Sequence, residues 1–221
     1  MKTNETLQKD VQDAMKWEPL LNQAQILVSA KDGIITLTGV VNDYAKKSLA
    51  ENAAKNISGV KAVVEKIEIE FDSSFHKSDN EIAIEIVNNF NWRQLPNDKV
   101  KVKVEDGWVT LEGELHWNYQ REIAKSAVIY VMGVKGITNN ITLKSATHDE
   151  VEKKDIEDAY ARNWSLHDQN IQVNVLGTKV VLSGTVSSLY QKEEAAQIAW
   201  NVPGVSVVDN QLVVLLIALY A

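Results

Sequence analysis

The chain has no cysteine among its 221 residues. That excludes disulfides, thiolate nucleophiles and cysteine-based metal sites. It also lacks long hydrophobic runs. No stretch approaches the ~20 apolar residues of a membrane span. No apolar run of signal-peptide length follows the opening residues Met1 to Asp10. The chain as given is therefore expected to be cytoplasmic, or periplasmic if a signal peptide was removed. A basic excess is missing as well. Residues 1–70 carry 9 Lys/Arg against 10 Asp/Glu, residues 71–144 carry 9 against 10, and residues 145–221 carry 5 against 10. The net charge of −7 is thus concentrated in the last third, which argues against nucleic-acid partners.

Catalytic signatures are absent too. The four histidines, His76, His116, His148 and His167, do not recur at equivalent places. His148 with Asp149 and Glu150 has metal-ligand chemistry, but acidic residues at a helix start serve the helix dipole equally well. There is no Gly-x-Ser-x-Gly elbow and no phosphate-loop glycine cluster. No catalytic residue, cofactor-binding residue or metal site is assigned, and the chain is expected not to be an enzyme.

What is present is a repeat. Gly39, Gly113 and Gly184 each sit in strand-like sequence, and each is followed at the same interval by a Gly-Val pair: Gly59-Val60, Gly133-Val134 and Gly204-Val205. Between the paired glycines, Ala50, Ala53, Ala54 and Ile57 align with Ala124, Ala127, Val128 and Val131, and with Ala195, Ile198, Ala199 and Val202. Steps of three and four predict one buried helix stripe. The small alanines let that helix lie close to a sheet, and the second glycine suits its C-terminal end.

Alternation predicts the strands. Ile35, Leu37 and Val41 match Val109, Leu111 and Leu115, and Val180, Leu182 and Val186. Asp32-Gly33 and Asp106-Gly107 predict tight hairpin turns, and Gly177-Thr178 is a weaker form of the signal. Val63, Ile67 and Ile69 open a last strand matched by Ile137, Ile141 and Leu143, and by Val208, Leu212 and Val214. An opening helix precedes each hairpin. Ser78 with Glu81, and Thr147 with Glu150, have capping-box spacing. Trp17, Trp92 and Trp164 close these helices; they read as aromatic plugs between helix and sheet, with a ligand platform as the alternative.

The expected fold is α+β: three tandem αββαβ modules, each a three-stranded mixed sheet covered on one face by two helices. The modules span residues 1–70, 78–144 and 149–221, with linkers at 71–77 and 145–148. The uncovered sheet face is expected to be the more polar one, as Lys101 and Lys103 suggest. The short linkers predict contact between modules, with Phe71 and Phe75 filling a first interface. The C-terminal Leu215, Leu216, Ile217, Leu219 and Tyr220 carry no charge. They either pack on a neighbouring module or form an interaction surface for a membrane, a partner protein or a second copy.

The run Ile35-Thr36-Leu37-Thr38-Gly39-Val40-Val41, with Gly59-Val60-Lys61-Ala62-Val63, resembles the BON domain. So do Val109 to Leu115 with Gly133 to Ile137, and Val180 to Val186 with Gly204 to Val208. The resemblance implies an αββαβ fold and association with osmotic or envelope stress, phospholipid or membrane surfaces and larger secretion or channel assemblies. It implies no catalytic residue and no cofactor. The function expected is binding of a phospholipid surface or of envelope client proteins; a cytoplasmic ion- or solute-sensing module is the alternative.

Overall fold

A computed structural model describes residues 2–21, 24–71, 77–96, 98–144 and 151–215. The elements follow the repeat. The first module has α1 (Asn4–Lys16), a short 3-10 turn (Pro19–Leu21), β1 (Gln25–Lys31), β2 (Ile34–Val41), α2 (Tyr44–Lys55) and β3 (Ala62–Ile69). The second has α3 (Asp79–Trp92), β4 (Val100–Glu105), β5 (Trp108–Leu115), α4 (Asn118–Ile129) and β6 (Gly136–Leu143). The third has α5 (Lys153–Arg162), β7 (Asn170–Leu176), β8 (Lys179–Val186), α6 (Leu189–Trp200), β9 (Val207–Asn210) and β10 (Val213–Val214). By compactness the chain forms two units. One comprises Met1–Gly39, Ser48–Glu68 and Thr147–Ala221; the other comprises Val40–Lys47 and Ile69–Ala146.

The three sheets have orders β1-β2-β3, β4-β5-β6 and β7-β8 with both β9 and β10 beside β8. Hairpin strands pair antiparallel and the last strand pairs parallel to the central one in the second and third modules. β9 and β10 are one strand interrupted at Gln211 and Leu212. The ladder continues through the break, because Gln211 N–H donates to the Leu182 carbonyl at 2.8 Å.

The aligned apolar positions fill the cores. Ile35, Leu37, Val109, Leu111, Leu115, Val180 and Leu182 have no measurable exposure. Ala50, Ala54, Ala124, Ala195 and Ala199 are equally inaccessible, so the alanine stripe carries the helices onto the sheets. Ile82, Ile86 and Phe90 bury the inner face of α3.

Gly39, Gly113 and Gly184 answer a close backbone approach. A Cβ there would lie 2.1 Å from the Gln25 carbonyl oxygen, 2.0 Å from that of Lys99 and 2.0 Å from that of Asn170. No side chain fits at such distances. The second set of glycines lies beyond the helices, which end at Lys55, Ile129 and Trp200. Gly59, Gly133 and Gly204 take φ of 97°, 93° and 90° in the turn that starts the return to the sheet.

The hairpins differ in chemistry. Asp32-Gly33 and Asp106-Gly107 have positive φ at both residues, the mark of a type I′ turn. In the third module only Gly177 is positive, at 64°, as a type II′ turn requires at its first central position.

Ser78 and Glu81 form the capping box expected of them. The Ser78 hydroxyl accepts from Glu81 N–H, and the Glu81 carboxylate accepts from Ser78 N–H at 2.8 Å. The Ser78 N–H, and the Ser78 hydroxyl donating to the same carboxylate at 2.7 Å, hold the Glu81 carboxyl below its ordinary pKa. Thr3 caps α1 in the same way, accepting from Thr6 N–H at 3.1 Å. Thr147, His148, Asp149 and Glu150 lie outside the described residues. α5 starts after Glu152, which makes no side-chain cap.

The open sheet faces are less polar than alternation around Lys101 and Lys103 suggested. Both lysines are exposed. Yet Leu27, Ile34, Val40 and Val64 are exposed in the first module's strands, and Leu176, Val207 and Val213 in the third's. Strand residues on a face without helices remain solvated whatever their side chain, and the lysine-rich β4 is not representative.

Candidate interaction surface

The tryptophans reverse the expected plug. Trp17, Trp92 and Trp164 are 85%, 87% and 87% exposed. The plug is a leucine placed just after each one: Leu21, Leu95 and Leu166, all buried. Opening helix and core are thus sealed by an aliphatic side chain, and the indole is left standing in solvent.

The second module shows how this is enforced. At the end of α3, Gln94 takes φ of 56°. Gln94 N–H donates to the Asn91 carbonyl and Leu95 N–H donates to the Phe90 carbonyl, both at 3.1 Å. This is a Schellman motif with its usual pairing of apolar residues, here Leu95 and the buried Phe90. Turning the chain at Gln94 drives Leu95 inward and leaves Trp92, on the last helical turn, outward.

In the third module hydrogen bonds hold the segment that carries Trp164. Asn163 Nδ2 donates to Glu194 at 3.1 Å, and its Oδ1 accepts from Ser165 N–H at 2.9 Å. Gln191 Nε2 donates to the Ser165 carbonyl at 2.8 Å. Tyr160, next to this segment, donates its hydroxyl to the Ala195 carbonyl at 2.8 Å, and burial pushes its phenol pKa up. Trp164 is therefore displayed on a fixed platform rather than on a loose loop.

Each indole has an exposed cation close in sequence: Lys16 beside Trp17, Arg93 beside Trp92, and Arg162 two residues before Trp164. The surrounding end of the second module adds aromatic surface. α1 is pinned by its first turn to the hairpin, where the Asn4 carboxamide accepts from Asp32 N–H at 2.9 Å. Its 13 residues run ~20 Å, so Trp17 lies at the end away from the hairpin. In the second module the Asp79 carboxylate pins α3 likewise, accepting from Asp106 and Gly107 N–H at 2.8 and 2.9 Å. β5 leaves the hairpin toward the same far end and delivers the start of α4, with Trp117 and Tyr119 at 37% and 57% exposure.

No group of three or more histidine, aspartate or glutamate side chains among the described residues could hold a metal ion. No described helix is long and apolar enough to cross a membrane. Leu215 is half exposed, and its N–H extends the last strand by donating to the Val186 carbonyl at 2.9 Å. Leu216, Ile217, Leu219 and Tyr220 lie outside the described residues, as do Phe75, His76 and His148. Phe71 is partly buried.

The BON domain matches at residues 3–70, 78–145 and 148–215. The chain belongs to the BON domain family. Among curated proteins it is similar to osmotically-inducible protein Y of Escherichia coli (strain K12), at 28% identity over 129 residues. That match spans 56% of this chain and 64% of the relative. Among solved structures it matches CdsD, a structural protein of the type III secretion system of Chlamydia trachomatis, at 16% identity and a TM-score of 0.24, covering 94% of this chain and 91% of the other. It also matches the PrgH periplasmic domain at 8% identity and a TM-score of 0.23, covering 94% and 99%. Superpositions of that quality add nothing to the fold derived above.

Sequence reasoning found the tryptophans but gave them the wrong surroundings. The signal that separates the two readings was present. A leucine follows each tryptophan within four residues, and one plug position cannot hold both side chains.

Proposed function

We propose that this BON-domain chain is a non-catalytic stress protein that binds phospholipid surfaces through the ends of its modules. The observation that carries the reading is the display of one nearly fully exposed tryptophan per module, each near a lysine or arginine. An exposed indole costs solvation unless a partner covers it, and indoles favour the headgroup level of a bilayer, where the ring is buried and its N–H stays wet. The name of the E. coli relative supports the osmotic context. The net charge of −7 implies that indole insertion, not bulk attraction to anionic lipid, supplies most of the affinity. Binding to neutral vesicles should therefore persist. A client protein or a second copy of the chain engaging the apolar residues from Leu215 onward is the competing reading.

Co-sedimentation of the full chain with phosphatidylcholine vesicles, with and without phosphatidylglycerol, tests this. Retention on both vesicle types is expected. The triple variant W17A/W92A/W164A should lose at least tenfold in partitioning while its far-UV circular dichroism is unchanged. No retention of the unaltered chain on either vesicle, or equal retention of the triple variant, would reject the reading. Deleting residues 216–221 should leave vesicle binding intact; loss on that deletion alone would move the site to the C-terminal segment.

A further inference from the structure

Most of the first module, distant in sequence from the third, belongs to the same compact unit as it. Gly59 N–H, just past α2, donates to the Ser187 carbonyl, just before α6, at 3.0 Å. Beside this bond, Lys55 Nζ lies 3.0 Å from Glu51 and 2.7 Å from Glu193. A helix-surface lysine paired with the glutamate one turn before it is ordinary. Glu193 belongs to another module, so that second contact is tertiary.

The pair is not part of the repeated scaffold. The positions equivalent to Lys55 are Ile129 and Trp200, and those equivalent to Glu193 are Ser48 and Glu122. The third module's buried core, from Val151 to Val214, and the partly buried side chains against it include no residue of the first module. The cleft at the contact is lined by Asn52, Lys55, Asn56, Tyr190, Glu193 and Gln197, with Glu194 at its side. Amides, carboxylates, one ammonium and the Tyr190 ring therefore meet across it.

A contact of this composition responds to ionic strength. Burial works to lower the Lys55 ammonium pKa, but hydrogen bonding and charge from Glu193, then Glu51, outweigh it and hold the group above its ordinary value. The Debye length shrinks from about 10 Å at 0.1 M salt to about 3 Å at 1 M, and Glu193 is 55% exposed, so solvent ions reach the pair.

We propose that the Lys55–Glu193 contact is a salt-released clasp: the first and third modules are docked at low ionic strength and separate as ionic strength rises. The modules keep their folds on release, because each has its own core. Rising ionic strength is then converted into freedom of one module relative to another, without any bound effector.

The absence of cysteine makes the test direct. Ser29→Cys and Asn174→Cys place fluorophores on exposed strand positions of the two modules for energy transfer within the full chain. Raising sodium chloride from about 0.05 to about 1 M should lower the docked-to-undocked ratio about fivefold, the effect of losing one exposed ion pair. K55E should lower that ratio at low salt at least as far as about 1 M salt lowers it in the unaltered chain. The charge swap K55E/E193K should restore docking at low salt, which also excludes misfolding as the cause. Energy transfer that is insensitive to salt overturns the proposal. So does a K55E chain that stays docked, or a charge swap that fails to rescue.

Discussion

The hairpins of the first two modules and that of the third reach the same end by different chemistry. In the first two, the opening helix supplies the lock: Asn4 or Asp79, each the first helical residue, accepts hydrogen bonds from the Asp-Gly turn. In the third, that position is Lys153, which cannot accept. There the backbone tie to the last strand is the one all three turns make, Ser206 N–H to the Thr178 carbonyl at 3.0 Å matching Lys61 to Gly33 and Lys135 to Gly107, and the Ser206 hydroxyl adds a bond to Thr178 Oγ1 at 2.7 Å. The turn type changes with the lock. The lesson is that the repeat keeps the turn tied to the last strand through the backbone, while the side chain that adds a second tie changes from module to module.

Four tests sharpen or break that comparison. The largest effect is expected where the modules do not differ. Gly113→Ala would press a Cβ to 2.0 Å from the Lys99 carbonyl oxygen and should cost about 3 kcal/mol or more. Urea unfolding of the full chain reads it, and Gly184→Ala should match it; a neutral result at either would mean that the strands can part at this crossing. Next comes the helix lock. Asp79→Ala strands two turn amides and should cost about 1–2 kcal/mol, whereas Lys153→Ala at the corresponding place should be silent. If both variants melt alike, the helix-first residue is not what distinguishes the hairpins.

A gain of stability comes third. Gln94 holds φ of 56°, a conformation that costs a side-chain-bearing residue about 1 kcal/mol. Gln94→Gly should therefore stabilise the second module by roughly that amount, read as a higher urea midpoint, while Trp92 stays exposed to acrylamide quenching. A quenched-to-protected change would show that the Schellman turn does not set the indole's direction. The smallest effect belongs to the third module's own lock. Ser206→Ala removes one exposed hydrogen bond and should cost about 0.5 kcal/mol, seen as faster amide exchange at the 177–178 turn.

Much of this architecture was legible because local requirements repeat. Ile35, Leu37, Gly39 and the alanine stripe declare strand, crossing and helix from neighbours only a few positions away. Asp-Gly gives the hairpin for the same reason. What escaped was carried by pairs far apart in sequence. Nothing near Asn4 or Asp79 indicates that a turn some 28 residues later needs its oxygens. Lys55 reads as an ordinary helix charge until Glu193 is seen beside it. The tryptophans were misjudged through a competition for space: size favoured the indole as core filler, but the turn geometry after α3 gave the place to Leu95.

The parallel ladder of the second and third modules carries one more consequence. Val109 pairs with Ile137 and Val180 with Val208, so the stretch from central strand to last strand has the same length in both modules. It acts as a ruler. One residue added within it, if passed on to the strand, would turn Ile141 and Leu143 from the core to the open face. The permissive places for growth lie elsewhere, between opening helix and first strand, where the spacing from tryptophan to buried leucine already varies. New recognition surface can be added beside the indoles without disturbing the fold that presents them.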